Sequence, residues 1–268
     1  MLFRSIDGHR TGIITSTSLL AGGEAFTEAV SIAKENPKLG IGIHIALVGG
    51  LKPVCDPAEV PSLVTAEGVF LESYVDFIKL IYSGKINYSE LRKEINAQIT
   101  QIADTGLKVT HIDGHQHMHV LPTVLPIVIE QAKSFGINAI RVPDEPTSFM
   151  NYIYSPTRFL GKVGLSTVAA NARPIVRNNN MLTTQYFWGM VNGGNIDQKS
   201  LMGILKKVNN NSGTHELMVH PGINNTILGK RYNWGYHWED ELHALCSSHT
   251  RLYIRQHGIE LINYGDLI

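Results

Sequence analysis

The sequence is short of cysteine, of net charge and of long apolar runs, and each shortage excludes something. Its two cysteines, Cys55 and Cys246, form no Cys-x-x-Cys pair and cannot build a disulfide framework. That suits a reducing compartment, so the cytoplasm is the expected location. Lys plus Arg and Asp plus Glu both number 23, leaving no formal net charge and no electrostatic case for nucleic acid or an anionic membrane as partner. The most apolar stretch, "VLPTVLPIVI", contains Pro122 and Pro126 and is about half a membrane span, so no transmembrane anchor is expected. The opening "MLFRSIDGHR" has Arg4 and Asp7 where a signal peptide needs an apolar run. There is no nucleophile elbow for acyl transfer, and "GGEAF" lacks the spacing of a phosphate loop.

What is present is a globular chain. Hydrophobic residues at 43% and charged residues at 17% exclude disorder. A chain of this length buries roughly three quarters of its unfolded surface, so a large core needs no staples. No internal repeat or linker interrupts it, which predicts one domain over residues 1–268.

The pattern alternates strand and helix. "GIITSTSLL", "LGIGIHIALV", "LKVTHIDGH" and "INAIRVP" read as strands, and "HELMVHPG" as a late buried one. Between them "GGEAFTEAVSIAKENP", "SELRKEINAQITQIADTG" (capped by Ser89, ended by Gly106) and "PTVLPIVIEQAKSFG" read as helices. Residues 151–195 suggest a helical insertion, and "SSHTRLYIRQHGIELINYGDL" a last helix and strand. The alternation predicts parallel βαβ units, closed as a barrel or open as a doubly wound sheet.

Histidine is where the chain is rich. "HIDGHQHMH" holds His111, His115, His117 and His119, a third of all the histidines, together with Asp113. The cluster falls at the carboxyl end of a strand, where α/β folds place ligands and catalysis. Imidazoles this close cannot all take up a proton cheaply, and a divalent cation on their neutral nitrogens removes that difficulty. The bland alternative is a solvated His-rich loop. His44 shares a strand face with Gly42 and Ala46 and so has space in front of it, unless it is a core histidine bonded to a carbonyl. His220 closes the strand before Pro221-Gly222, a third strand-end histidine. His215 and Glu216 read as surface or packing residues. "KRYNWGYHWEDEL" reads equally as a sugar-stacking segment or as a surface loop packing its tryptophans, and "FWGMVNGG" has the same ambiguity.

"TSTSLL", "GIHIAL", "THIDGHQHMHVLP", "IRVPDEP" and "ELMVHPG", in this order and over nearly the whole chain, resemble the YdjC-like carbohydrate deacetylases. The "YNWGYHWEDELHAL" segment leans toward their hopanoid-associated branch. The resemblance implies a single-domain α/β fold, a TIM-barrel-like (β/α) barrel. It implies one divalent metal, Mg or Zn, and removal of the N-acetyl group from an acetylated amino sugar. By motif position His44 and His115 correspond to metal ligands, with His117 or water filling in, while His220 and Asp113 are the candidate catalytic residues. His220 is the candidate acid for the leaving amine.

Family members open on a strand ending in an Asn-Ala-Asp-Asp-Phe-Gly type motif that supplies a carboxylate ligand and an aspartate base. The opening "MLFRSIDGHRTGIITSTSLL" matches the segment just after that motif, and Asp7 sits too late to replace it. The expectation is a barrel that lacks its first strand and is open there. A metal phosphoesterase and a non-catalytic sugar-binding relative are the competing readings. The sequence does not fix the sugar, the metal or the oligomer, a homodimer being one option.

Overall fold

In a computed structural model, residues 2–146 and 156–267 are described. The chain opens on helix α1 (Leu2–Thr11), followed by β1 (Ser16–Leu19), α2 (Phe26–Lys34) and β2 (Gly40–Ile45). Then come α3 (Tyr74–Tyr82), α4 (Tyr88–Ala103), β3 (Val109–Gly114) and a 3-10 segment, His115–Val120, leading to α5 (Leu125–Ser134). Beyond lie α6 (Pro156–Asn178), β4 (Tyr186–Trp188), α7 (Gln198–Asn210) and β5 (His215–Leu217). Helices α8 (Asn225–Arg231), α9 (Trp238–Cys246) and α10 (Ser248–Gln256) and a 3-10 turn, Tyr264–Asp266, complete the chain.

All strand pairs are parallel, as the alternation requires. β1 pairs with β2 and β2 with β3. Single parallel bridges, Ile112 to Ile140 and Ala139 to Leu182, carry the order onward to the chain that enters β4, which pairs with β5. The order of pairing therefore follows the chain. Among the described residues β1 and β5 do not pair. The C-terminal turn stands between them: the Tyr264 amide lies 3.4 Å from Ser16 Oγ on β1, and the Tyr264 hydroxyl donates to Glu216 on β5.

Why the core forms is visible on β2 and α4. Ile41, Ile43 and Ile45 alternate on one face of β2, and the stripe Leu91, Ile95, Ile99 and Ile102 on α4 is fully buried in the same cluster. Two polar residues on α4 hold the chain just beyond His44. Gln98 bonds both the amide and the carbonyl of Ala46 (2.9 and 2.7 Å), and Glu94 accepts from the Val54 and Cys55 amides (2.9 Å each).

Several local expectations need correction. Asn87, not Ser89, caps α4; its side chain accepts from the Ser89 amide, because an Asx cap one residue before the helix satisfies the same free donors. "INAIRVP" makes only bridges, since Pro143 has no N–H to continue a ladder. The expected last strand is instead the Tyr264–Asp266 turn. There Asn263 and Asp266 form a reciprocal capping box that takes the backbone groups a strand would have used. Helices α3, α7, α8 and α9 and strand β4 were not foreseen. In the expected insertion, α6 covers 156–178, and residues 151–155 lie outside the described residues. Among the described residues no helix is long and apolar enough to cross a membrane.

Candidate active site

The carboxyl ends of the parallel strands bring the strand-end histidines toward one place. Strand register sets Gly42 beside His111 and His44 beside Asp113. Gly42 is required there, because a Cβ on it would lie about 2.4 Å from the His111 ring. The space expected in front of His44's strand face is thus partly filled, by a second histidine.

His44 is a quarter exposed, and its two nitrogens have different partners. Nδ1 lies 2.8 Å from Asp113 Oδ1, and Nε2 lies 3.4 Å from His115 Nδ1. With Nδ1–H donated to the carboxylate, Nε2 carries the lone pair and faces His115. The two rings meet edge to face, their centroids 5.6 Å apart. Burial, reinforced by His44 and then His220, lowers His115 to about 3, so its imidazole is neutral at neutral pH.

Asp113 is only 2% exposed and accepts from three side chains. Besides His44, it takes the Ser18 hydroxyl at 2.9 Å and Arg141 Nη1 at 2.5 Å. Burial alone would raise its carboxyl; the Arg141 guanidinium, then His44, outweigh that and hold it well below the ordinary carboxylate range. Arg141 in turn contacts Glu216 through Nε (2.7 Å) and Nη2 (2.6 Å). Glu216 accepts from Tyr264, whose ring stacks on His111 with centroids 4.0 Å apart and planes 9° apart. A continuous polar network therefore runs from the C-terminal turn to His44.

His119 and His117 separate from the pair. His119 is fully buried, packs over Gly114 and bonds the Arg141 carbonyl through Nε2 at 3.0 Å. Gln116 and His117 adopt left-handed φ values of 49° and 61°, a strained arrangement for side-chain-bearing residues. The His117 ring lies against Phe187, and its Nδ1 is buried without a hydrogen bond.

His220 comes just after β5. Its amide donates to Glu241 Oε2 at 2.6 Å, and its ring lies 5.1 Å from that of Tyr236. Glu241, fully buried on α9, also accepts from Ile196 and Gly194, joining the loops after β4 and β5. Burial pushes its carboxyl up to about 7 against the pull of those three amides. A line of rings spans the two histidines: His115 to Trp234 at 6.5 Å, Trp234 to Tyr236 at 5.5 Å, Tyr236 to His220 at 5.1 Å. The aromatic segment thus lies at the site, whereas "FWGMVNGG" supplies Phe187 to its interior and the Glu145-bound amides of Gly189 and Val191.

Two imidazole nitrogens 3.4 Å apart fit one cation. Metal–nitrogen bonds of about 2.0–2.1 Å at a tetrahedral angle set ligand nitrogens about 3.4 Å apart. A carboxylate behind one imidazole is the usual way such a ligand is oriented. Among the described residues, however, no group of three ligating side chains comes together, so His117 does not join His44 and His115 here. Sequence reasoning missed Ser18, Arg141, Glu216 and Tyr264. The available signal was a lone arginine inside an apolar segment and a glutamate in a later strand.

A family model described as YdjC-like protein matches residues 5–256. Proteins named carbohydrate deacetylase are similar over 98% of this chain: one from Clostridium beijerinckii (30% identical, 92% of its length) and one from Brevibacillus brevis (28%, 92%). One from Mus musculus (28% identical) matches over 98% of this chain and 88% of its own length. A crystal structure from Enterococcus faecalis V583, provisionally named a cellobiose-phosphate cleavage protein, superposes with a TM-score of 0.76 at 24% identity, covering 98% of this chain and 91% of that one. That likeness bears on the fold, which it shows to be a mixed α/β fold of the same kind.

Proposed function

The chain belongs to the YdjC-like protein family, and on that footing we propose that it hydrolyses the linear N-acetyl amide of an acetylated amino sugar with one divalent metal ion, magnesium or zinc. The sugar is a chitooligosaccharide or a hopanoid-linked N-acetylglucosamine. The observation that carries the reading is the pair His44 Nε2 and His115 Nδ1, 3.4 Å apart at the strand ends with Asp113 behind His44. The architecture is read as TIM-barrel-like, open between β1 and β5, and the protein as cytoplasmic.

His44 and His115 would hold the ion through neutral nitrogens, with water, substrate or a shifted His117 completing the sphere. A divalent ion there supplies Lewis acidity toward the acetamide carbonyl and toward water. Asp113 is a positioning residue, since among the described residues its side-chain hydrogen bonds and ion pair are with His44, Ser18 and Arg141 at the base of the site. His220, fixed through its amide by Glu241, holds the proton for the departing amine. Trp234 and Tyr236, inclined at 61° to one another, offer ring faces for the apolar side of a sugar.

The test is acetate release from N-acetylglucosamine-containing sugars, with phosphate release from phosphate esters measured in parallel and bound metal counted on the same samples. Metal-dependent acetate release supports the proposal. Phosphate release alone would replace it with a phosphoesterase, and sugar binding without turnover with a non-catalytic relative.

A further inference from the structure

The end of β5 carries an apolar side chain that the hydrophobic core does not take up. Leu217 and Val219 pack against the core cluster; among the described residues Met218, between them, has no place in it and stays half-buried. Strand alternation is the cause. The Met218 amide continues the ladder to the Trp188 carbonyl at 2.9 Å, so its side chain shares the face of Glu216. That face is the inner one, since Glu216 meets Arg141 and Tyr264 there.

A glycine brings Met218 and His220 together. A Cβ on Gly193, in the loop after β4, would lie 3.3 Å from Met218 Cε and 3.4 Å from His220 Cε1. The thioether methyl and the imidazole therefore border one spot. Two buried carboxylates fix its surroundings: Glu145 accepts from the Gly189 and Val191 amides (3.3 and 2.8 Å), and Glu241 from those of Gly194 and His220. His220 is also near enough to His115 for each imidazole to disfavour charge on the other.

A leaving amine must come within about 3 Å of a His220 nitrogen to take its proton. The methyl of an acetamide is two bonds from that amine, so it falls beside His220 as well. A thioether is a weak partner for a hydroxyl and a good one for a methyl group. We propose that Met218 is the wall of the acyl pocket and limits the amide that the site accepts to acetyl. The inference rests on the deacetylase reading, and on His220 standing beside the amide nitrogen. A longer acyl chain would run into Met218 Cε, and a shorter side chain at 218 would admit it.

The experiment compares kcat/KM of the metal-loaded full chain on four forms of one β-1,4-linked glucosamine dimer: N-formyl, N-acetyl, N-propionyl and N-butyryl. Calorimetric affinity for each form is measured alongside. Wild type is expected to lose about 10-fold or more for each methylene beyond acetyl. Met218→Ala should bring propionyl level with acetyl or above it, and Met218→Phe should shift the optimum to formyl. Opposite shifts separate selectivity from packing, because a general loss of packing lowers all four forms in proportion. Acetate release with a preference that neither variant moves would overturn the pocket and leave the deacetylase reading standing. A proportional loss on all four forms, or no binding of any form, would also overturn the pocket. If no acid is released while affinity falls from acetyl to butyryl and Met218→Ala abolishes that fall, the pocket stands and the deacetylase reading ends.

Discussion

Arg141 Nη1 lies 2.5 Å from Asp113 Oδ2 on β3, both side chains are nearly buried, and the same guanidinium contacts Glu216 on β5. One cation thus compensates two carboxylates between the two sheets. Arg141→Met would leave both uncompensated, and breaking a buried pair costs about 3–5 kcal/mol. Arg141→Lys retains the charge but loses the fork that reaches both acids. Urea denaturation should rank wild type above Lys, and Lys above Met. Equal midpoints for all three would show that the network contributes nothing to stability.

The same network sets the acid limit of the fold. The Asp113 carboxyl is held well below its unfolded value of 3.8, so its contribution is complete above that value and is lost as pH falls through and below it. Denaturation midpoints measured downward from pH 5 should fall more gently in Asp113→Asn than in wild type, from a lower starting point. An unchanged acid limb in that variant would place acid sensitivity elsewhere.

His111 governs a different window. Burial keeps it neutral, lowering it from 6.5 to about 3, so the unfolded chain gains a proton that the folded chain refuses. Its contribution to stability is complete above 6.5 and is lost as pH falls toward 3, at up to about 1.4 kcal/mol per pH unit. His111→Phe keeps a ring on Tyr264 and should flatten the pH dependence between those limits. Parallel curves for the two proteins would mean that His111 does not titrate there.

How much of this was legible in sequence depends on the physics of each part. Alternation exposed β1, β2, β3 and β5, because apolar period and turn residues are local signals. The strand-end histidines were legible because imidazoles clustered after a strand have few structural uses. The partners of Asp113 were not, since Ser18, Arg141, Glu216 and Tyr264 are brought together only by strand order and the returning C-terminal turn. Glu216 was read as a surface or packing residue for that reason; alone, a glutamate beside a histidine gives no sign that an arginine from a distant segment will cover it.

Glu241 should be intolerant of its own amide. Its oxygens accept from the Ile196 amide at 3.1 Å and the His220 amide at 2.6 Å, with Gly194 as a third donor. Glu241→Gln would turn an NH2 group toward N–H groups, leaving a buried donor unsatisfied at about 1–3 kcal/mol and releasing the loop that carries His220. Both the denaturation midpoint and the rate of acetate release should drop. A stable variant with undiminished rate would show that His220 needs no such support.

The histidine cluster itself yields the sharpest contrast, between His115 and His119. His115 Nδ1 faces His44 Nε2, while His119 bonds the Arg141 carbonyl and packs over Gly114 below the site. His115→Ala should therefore abolish metal binding and acetate release together while leaving the fold intact. His119→Ala should retain stoichiometric metal and lower activity by no more than about 10- to 100-fold, the usual effect of residues behind the ligands. It should also destabilise the protein, since it empties a fully buried site. A third variant gives a check without removing any imidazole. Gly49 has φ of 92°, and a Cβ there would lie 2.7 Å from His115 Nε2, so Gly49→Ala should displace the ring and weaken metal binding. Metal content measured on all three proteins decides the matter. Full metal in His115→Ala would end the ligand assignment, and equal total loss in His115→Ala and His119→Ala would show the cluster acting as one unit rather than as a ligand with its support.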